Sequence, residues 1–317
     1  VATTGVFTIP LMKKNGYSAR FAAATEASAS TGGQILPPIM GAAAFVMADV
    51  ISTSYLDIIS AALIPALLFY LAIWMSVHFE AKRLGLNPIP KDQRPTLREG
   101  LFNVETLLLP LVVLITMLVL RYTPTTAAVA AYFTAMVLYL VSPRSQGTLW
   151  ERVKTLPAAL EAGAMTAAMI AVIIGSVAII AAVISITGLG LKVSSLILMV
   201  SGGDVMVTLL LAMVVAIILG MGLPTVAAYM LAASVVAAAF VEAGLPSLSA
   251  HLFILYFAIL SGVTPPVALA AYIGGAIAGS HWFRTALTAT KISLGGFLIP
   301  FMFVYHPPLL GNGTALE

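Results

Sequence analysis

Apolar residues run along this chain in long stretches separated by short clusters of charge. The stretches at 56–79, 104–121, 126–142, 158–187 and 285–305 have the length and helical spacing of membrane crossings, which need about 20 residues. The ten-residue alternating segments of outer-membrane barrels are absent. Two further stretches, 21–50 and 250–280, are interrupted from within. The first carries Thr31-Gly32-Gly33-Gln34-Ile35-Leu36-Pro37-Pro38, and the second Ser261-Gly262-Val263-Thr264-Pro265-Pro266. Proline removes a helix donor and clashes with the preceding turn. In lipid, the freed backbone groups cost several kcal/mol each unless they line a cavity or bind something. Proline kinks packed against neighbours would account for one break, but not for two in corresponding places. The pair predicts an ion or solute site at mid-membrane.

The charge clusters thread the chain. Lys13, Lys14 and Arg20 mark one basic loop, and Lys82, Arg83, Lys91, Arg94 and Arg98 a second. Arg144, Arg152 and Lys154 mark a third, and Arg284 with Lys291 a fourth. With all four in the cytoplasm, the crossings alternate and Arg121 is the one cation on the outer side. The segment 192–243 must then start and finish outside. Its centre, Gly220-Met221-Gly222-Leu223-Pro224-Thr225, has no charge to hold it at a surface, which predicts a re-entrant helical hairpin rather than two full crossings.

Thr225 lies 40 residues before Pro265, and the same distance back from Pro37 falls just before Val1. A partner hairpin tip is expected upstream, with 1–12 as its exit arm. The chain opens in apolar sequence without an initiator methionine, and reads as a fragment with something essential missing upstream. The expected fold is an all-α polytopic membrane protein built of inverted repeats with re-entrant hairpins and broken spans. Its expected parts are a first half, 1–79, a basic and unduplicated connection, 80–157, and a second half, 158–317.

Composition narrows the class. The chain is 61% hydrophobic and 9% charged, against about 25% charged in soluble domains, and its mean hydropathy is +1.06. Its net charge of +3 reflects loop cations and carries no argument for nucleic acid. The absence of cysteine excludes disulfides, thiolate metal sites and thiol catalysis. H-E-x-x-H and G-x-S-x-G are missing. Gly202-Gly203-Asp204 resembles an intramembrane aspartyl-protease motif only loosely, so an intramembrane hydrolase is the weaker reading and no enzymatic activity or cofactor is expected.

Backbone carbonyls and hydroxyls at helix breaks are hard oxygen ligands suited to a reversibly bound small cation. The candidates are Gly220, Gly222, Thr225, Ser261, Val263 and Thr264 in the second half, and Thr31, Gly32, Gly33 and Pro37 in the first. Ser30, Gln34, Pro38, Pro224 and Pro265 are the substrate candidates, because exposed helix N-termini at the same breaks favour a carboxylate. Replacing Thr225 or Thr264 with Val is expected to weaken dependence on that cation more than expression. Glu26 and Glu161 lie near the inner ends of spans and read as interfacial anchors. Asp49, Asp57, Asp204 and Glu242 mark outer ends, and His251 and His281 read as headgroup-level residues.

The ordered strings Val1–Met12, Ala29–Phe45, Gly220–Thr225 and Ser261–Pro266 resemble the large membrane subunit of tripartite ATP-independent periplasmic (TRAP) transporters, most closely the fused permeases of the TAXI branch. The resemblance implies an elevator-type secondary transporter of the bacterial or archaeal inner membrane. It implies sodium as coupling ion, with one sodium site at each hairpin tip facing its broken helix. It also implies a small organic acid as substrate, a periplasmic binding protein that delivers it, and a small membrane subunit or its fused equivalent. A binding-protein-independent anion carrier with the same inverted hairpins, of dicarboxylate or arsenite type, is the alternative.

Overall fold

The computed structural model describes residues 1–86, 104–141 and 148–311. The loop Asn87–Pro90 and the cations Lys91, Arg94, Arg98 and Arg144 lie outside the described residues. Among the described residues the chain is all-helical, with fourteen α-helices and no strand. Contacts divide it into two units, Val1–Leu86 with Ile173–Glu317, and Asn87–Val172.

In the smaller unit, α5 (Val104–Val119) and α6 (Pro124–Val141) are joined by a tight turn. Arg121 has φ 62° there, and Thr123 Oγ1 accepts from the Thr126 amide at 3.3 Å. The unit also holds the start of α7 (Leu149–Ile186). Thr148 and Glu151 cap α7 reciprocally: the Thr148 amide donates to the Glu151 carboxylate at 2.7 Å and Thr148 Oγ1 accepts from the Glu151 amide at 3.4 Å, the Thr-x-x-Glu pattern of a capping box.

The larger unit contains α1 (Gly5–Lys14), α2 (Ala19–Gly32), α3 (Ala42–Val50), α4 (Tyr55–Arg83) and the end of α7. After it come α8 (Leu189–Ser201), α9 (Val205–Gly220), α10 (Thr225–Glu242), α11 (Ser247–Leu260), α12 (Leu269–Ala278), α13 (Trp282–Ile292) and α14 (Leu294–Tyr305). Residues 174–186 of α7 meet α8 at a 65° bend, where Gly188 takes φ 65°.

The backbone of this unit repeats itself at a spacing of 228 residues, the distance from Pro37 to Pro265. Helices α2 and α11 have 14 residues each and begin and end at equivalent positions. Gly16 (φ 96°) and Gly244 (φ 76°) sit in the turns before them. Past their ends, Gly33 N donates to Ala29 O as Ser261 N donates to Phe257 O, and Ile35 N to Gly32 O as Val263 N to Leu260 O. Both double prolines are cis, and Met40 and Ala268, at equivalent positions, have φ 49° and 46°. At 1.5 Å per residue, 14 residues cover roughly 21 Å, short of the roughly 30 Å hydrocarbon core. Each helix up to its break is therefore too short to cross a membrane by itself.

Small residues bring the helices close enough to hold these breaks. Ala22, Ala23, Ala24 and Ala27 are fully buried, and a Cβ on Gly274 of α12 would stand 2.9 Å from the Ala23 carbonyl of α2, the close approach seen between membrane helices. Ser28 Oγ donates to Ala289 O at 3.1 Å, and Ser293 Oγ to Ser28 Oγ at 3.0 Å, joining α2 to α13. On the other flank, Ser194 Oγ of α8 donates to Val235 O of α10 at 2.7 Å.

Candidate functional site

Both breaks open onto one cavity of about 260 Å³. Its walls use matched positions of the repeat. Ser30, Thr31 and Gln34 come from the first half, and Ala258, Ile259 and Gly262, each 228 residues later, from the second. The α9–α10 connection contributes Gly222, Leu223, Pro224 and Thr225, and the start of α12 contributes Leu269, Ala270 and Ile273.

The connection reaches the cavity because α9 stops at Gly220 and α10 restarts at Thr225. Gly222 turns the chain at φ 72°, a conformation open to glycine at little cost. Gly220 lets the tip lie against the second break: an added Cβ would stand 2.7 Å from Ser261 Oγ. Ser261, buried at 2% exposure, donates to Gly220 O at 3.0 Å and to Ala258 O at 2.7 Å. Thr225 Oγ1 donates to Gln34 Oε1 in a short hydrogen bond, which ties the tip to the first break as well.

Of the residues singled out in the sequence, Ser30, Thr31, Gln34, Gly222, Pro224, Thr225 and Ser261 line this cavity; Gly32, Gly33, Pro37, Pro38, Gly220, Val263, Thr264 and Pro265 lie in the breaks or the tip but are not in its wall. Several carbonyls near the breaks are already engaged. Tyr55 Oη donates to Pro38 O and Ile39 O at 3.0 and 2.9 Å, Tyr70 Oη to Ala29 O at 2.9 Å, and Thr290 Oγ1 to Val263 O at 3.2 Å. Thr264 Oγ1 turns back to Leu260 O at 2.7 Å. Sequence reasoning passed over Tyr55, Tyr70 and Thr290, whose partners lie 16 to 41 residues away.

Glu26 departs from its reading as an interfacial anchor. It is buried at 7% exposure, and its carboxylate accepts from Thr8 Oγ1 at 2.5 Å, from Ser30 Oγ at 2.8 Å and, in a short bond, from Thr4 Oγ1. One carboxylate thus fastens α1 to α2 and fixes Ser30 at the cavity wall. His251 departs likewise. It is buried at 7% exposure, and its Nδ1 is 2.8 Å from Tyr229 Oη. Asp49, Asp57, Glu161, Asp204, Glu242 and His281 are exposed.

The arrangement presents the N-terminal ends of α10 and α12 to one small space, and such ends favour negative charge. Hydroxyls, an amide side chain and broken-helix backbone supply oxygen ligands beside them. No group of three His, Asp or Glu able to hold a metal ion occurs among the described residues. No curated protein matches the chain. The family model described as tripartite ATP-independent periplasmic transporter, DctM component, matches residues 1–315, and the chain belongs to that family as a multi-pass membrane permease component of a TRAP transporter.

Proposed function

We propose that this permease component couples sodium entry to the import of a small organic anion handed over by a periplasmic binding protein, across the inner membrane of a bacterium or archaeon. The observation that carries the reading is the meeting of both broken helices and the hairpin tip at one cavity. Sodium bound by the break carbonyls and hydroxyls orders the tip, and the ordered tip completes the anion site at the starts of α10 and α12. Without the ions the tip exposes backbone that lipid tolerates poorly, so an empty or half-filled carrier does not cross. The two repeats, inverted across the membrane, form the moving part, and the small membrane subunit or its fused equivalent belongs to the scaffold.

A volume of about 260 Å³ lies just below the usual range of ligand pockets and suits a small solute. The first repeat lines it with Ser30, Thr31 and Gln34 and the second with Ala258, Ile259, Gly262 and one hydroxyl residue, Ser261, whose proton is spent on Gly220 O and Ala258 O. A carboxylate with a short apolar flank fits that division.

The test is uptake of radiolabelled organic acids into proteoliposomes holding the complete transporter, with the binding protein outside. An imposed sodium gradient is expected to drive accumulation only when the binding protein is present. Accumulation that ignores sodium and follows another ion gradient overturns the coupling assignment. Accumulation without the binding protein overturns the delivery step.

A further inference from the structure

A second cavity, of about 440 Å³, lies where the start of α2 meets the ends of α4 and α13. Three helices each bring a cation to it: Arg20 from α2, Arg83 from α4 and Lys291 from α13. Glu80 is the one carboxylate in the lining. It holds Arg83 in a two-point ion pair, at 2.7 Å to Nε and 2.6 Å to Nη2. Among the described residues, Arg20 and Lys291 make no ion pair. Ser18 caps α2 by accepting from the Phe21 amide at 3.2 Å, which leaves its hydroxyl proton free to donate. The cavity thus carries an excess of two positive charges, and its donors come from positions 18, 20, 83 and 291, brought together only by the fold.

Its surroundings distinguish one anion from another. Leu84 lines the cavity and is 38% exposed. Leu287, one turn before Lys291, is exposed, as are Leu67, Leu71 and Trp74 along α4. Arg83 and Lys291 therefore stand at the ends of helices whose apolar side chains are uncovered, which is the level of lipid headgroups. Basic pockets between membrane helices take phosphate-bearing headgroups, and an arginine presents a planar fork that pairs with phosphate at two points.

We propose that the Arg20–Arg83–Lys291 cavity is a binding site for the phosphate of an anionic phospholipid. The site is distinct from the one at the helix breaks: no residue lines both cavities. Occupancy ties α2, which carries the first break, to α4 and α13.

Native mass spectrometry of the complete transporter tests it, with dioctanoyl phosphatidylglycerol against dioctanoyl phosphatidylcholine. Phosphatidylglycerol is expected to be retained and the zwitterionic lipid lost. Retention should fall by roughly fivefold for each cation removed, in Arg20→Gln and in Arg20→Gln/Lys291→Gln. Glu80→Gln, which takes away the opposing charge, should raise retention. Lys14→Gln, outside the cavity, should leave it unchanged. If the double variant fails to assemble, the opposite shifts of Arg20→Gln and Glu80→Gln carry the test. Equal retention of the two lipids, or retention indifferent to both single variants, overturns the site. Inorganic phosphate that displaces phosphatidylglycerol at equal concentration shows a free-anion site and overturns the lipid assignment.

Discussion

The two broken helices share a backbone path and differ in chemistry. Residues 29–35 and 257–263 make equivalent main-chain hydrogen bonds, and positions 30, 31 and 34 line the same cavity as 258, 259 and 262. The side chains on that path diverge. The first half places Glu26 where the second has Ile254, Ser30 where it has Ala258, and Gly33 where it has Ser261. The first break is secured through a carboxylate that gathers hydroxyls from α1 and α2. The second is secured through a serine hydroxyl lodged against the carbonyl of a hairpin tip. A repeated scaffold can thus carry a polar wall on one side and, Ser261 apart, an apolar wall on the other. The symmetry sets where the breaks fall, and the departures from it make the two walls differ.

The largest expected effect comes from removing the carboxylate. Glu26→Ala removes three hydroxyl-to-carboxylate hydrogen bonds in a half-buried site, about 1 kcal/mol or more each, and it loosens α1 from α2. Sodium-driven uptake by the complete transporter should fall by roughly a hundredfold at normal expression. Glu26→Gln, which keeps an acceptor oxygen, should retain part of it. Ile254→Val at the matched position removes one buried methylene, costs about 1 kcal/mol of stability, and should leave uptake close to normal. Uptake by Glu26→Ala that equals the parent protein would show that the two halves are fastened interchangeably.

Next in size is a test of the close approach at the second break. Gly220→Ala drives a methyl to within 2.7 Å of Ser261 Oγ and 3.0 Å of its Cβ, a crowding worth about 1–3 kcal/mol. Thermal unfolding of the purified protein should shift down accordingly. Adding Ser261→Gly gives the second break the residue of the first and relieves the contact. The double variant should recover most of the loss; a double variant as unstable as the single one would place the cost elsewhere.

The breaks themselves were legible because glycine and proline impose backbone consequences that need no partner. The strings at Thr31–Pro38 and Ser261–Pro266, their matched spacing and the hairpin tip at Gly220–Thr225 all follow from local chemistry. What the sequence withheld is every feature that depends on residues far apart in the chain. Glu26 reads as an interfacial carboxylate until Thr4 and Thr8, 22 and 18 residues away, are folded onto it. His251 reads as a headgroup residue until Tyr229 covers it. Arg20, Arg83 and Lys291 read as three unrelated loop cations. The tyrosines that satisfy the first break gave no signal, since an isolated tyrosine in apolar sequence is ordinary packing.

The two threonines expected to act alike are separated by the geometry. Thr225 lines the cavity and bridges to Gln34, whereas Thr264 spends its hydroxyl proton on Leu260 O within its own helix end. Thr225→Val should raise the sodium concentration for half-maximal uptake by roughly fivefold, the equivalent of about 1 kcal/mol. Thr264→Val should change it by less than about twofold. Equal shifts in the two variants would mean that the Thr264 oxygen serves an ion through its lone pairs while its proton stays on the backbone.

The smallest effect is the one that speaks most directly to the difference between the walls. Ala258 is buried at 3% exposure and lines the cavity opposite the repeat position held by Ser30. Ala258→Ser adds one hydroxyl to the apolar side without much volume, and a serine inside a helix can park its proton on the carbonyl four residues back. The helix should therefore tolerate it. A hydroxyl on that wall lowers the cost of facing a polar substituent by less than about 1 kcal/mol. Competition against uptake by malate and by succinate, which differ by a single hydroxyl, should shift toward malate by no more than about threefold. Ser30→Ala should shift it the other way. If neither substitution alters the ranking of the two acids, the division between polar and apolar walls describes the protein and not its selectivity, and the substrate must be read from contacts with the hairpin tip instead.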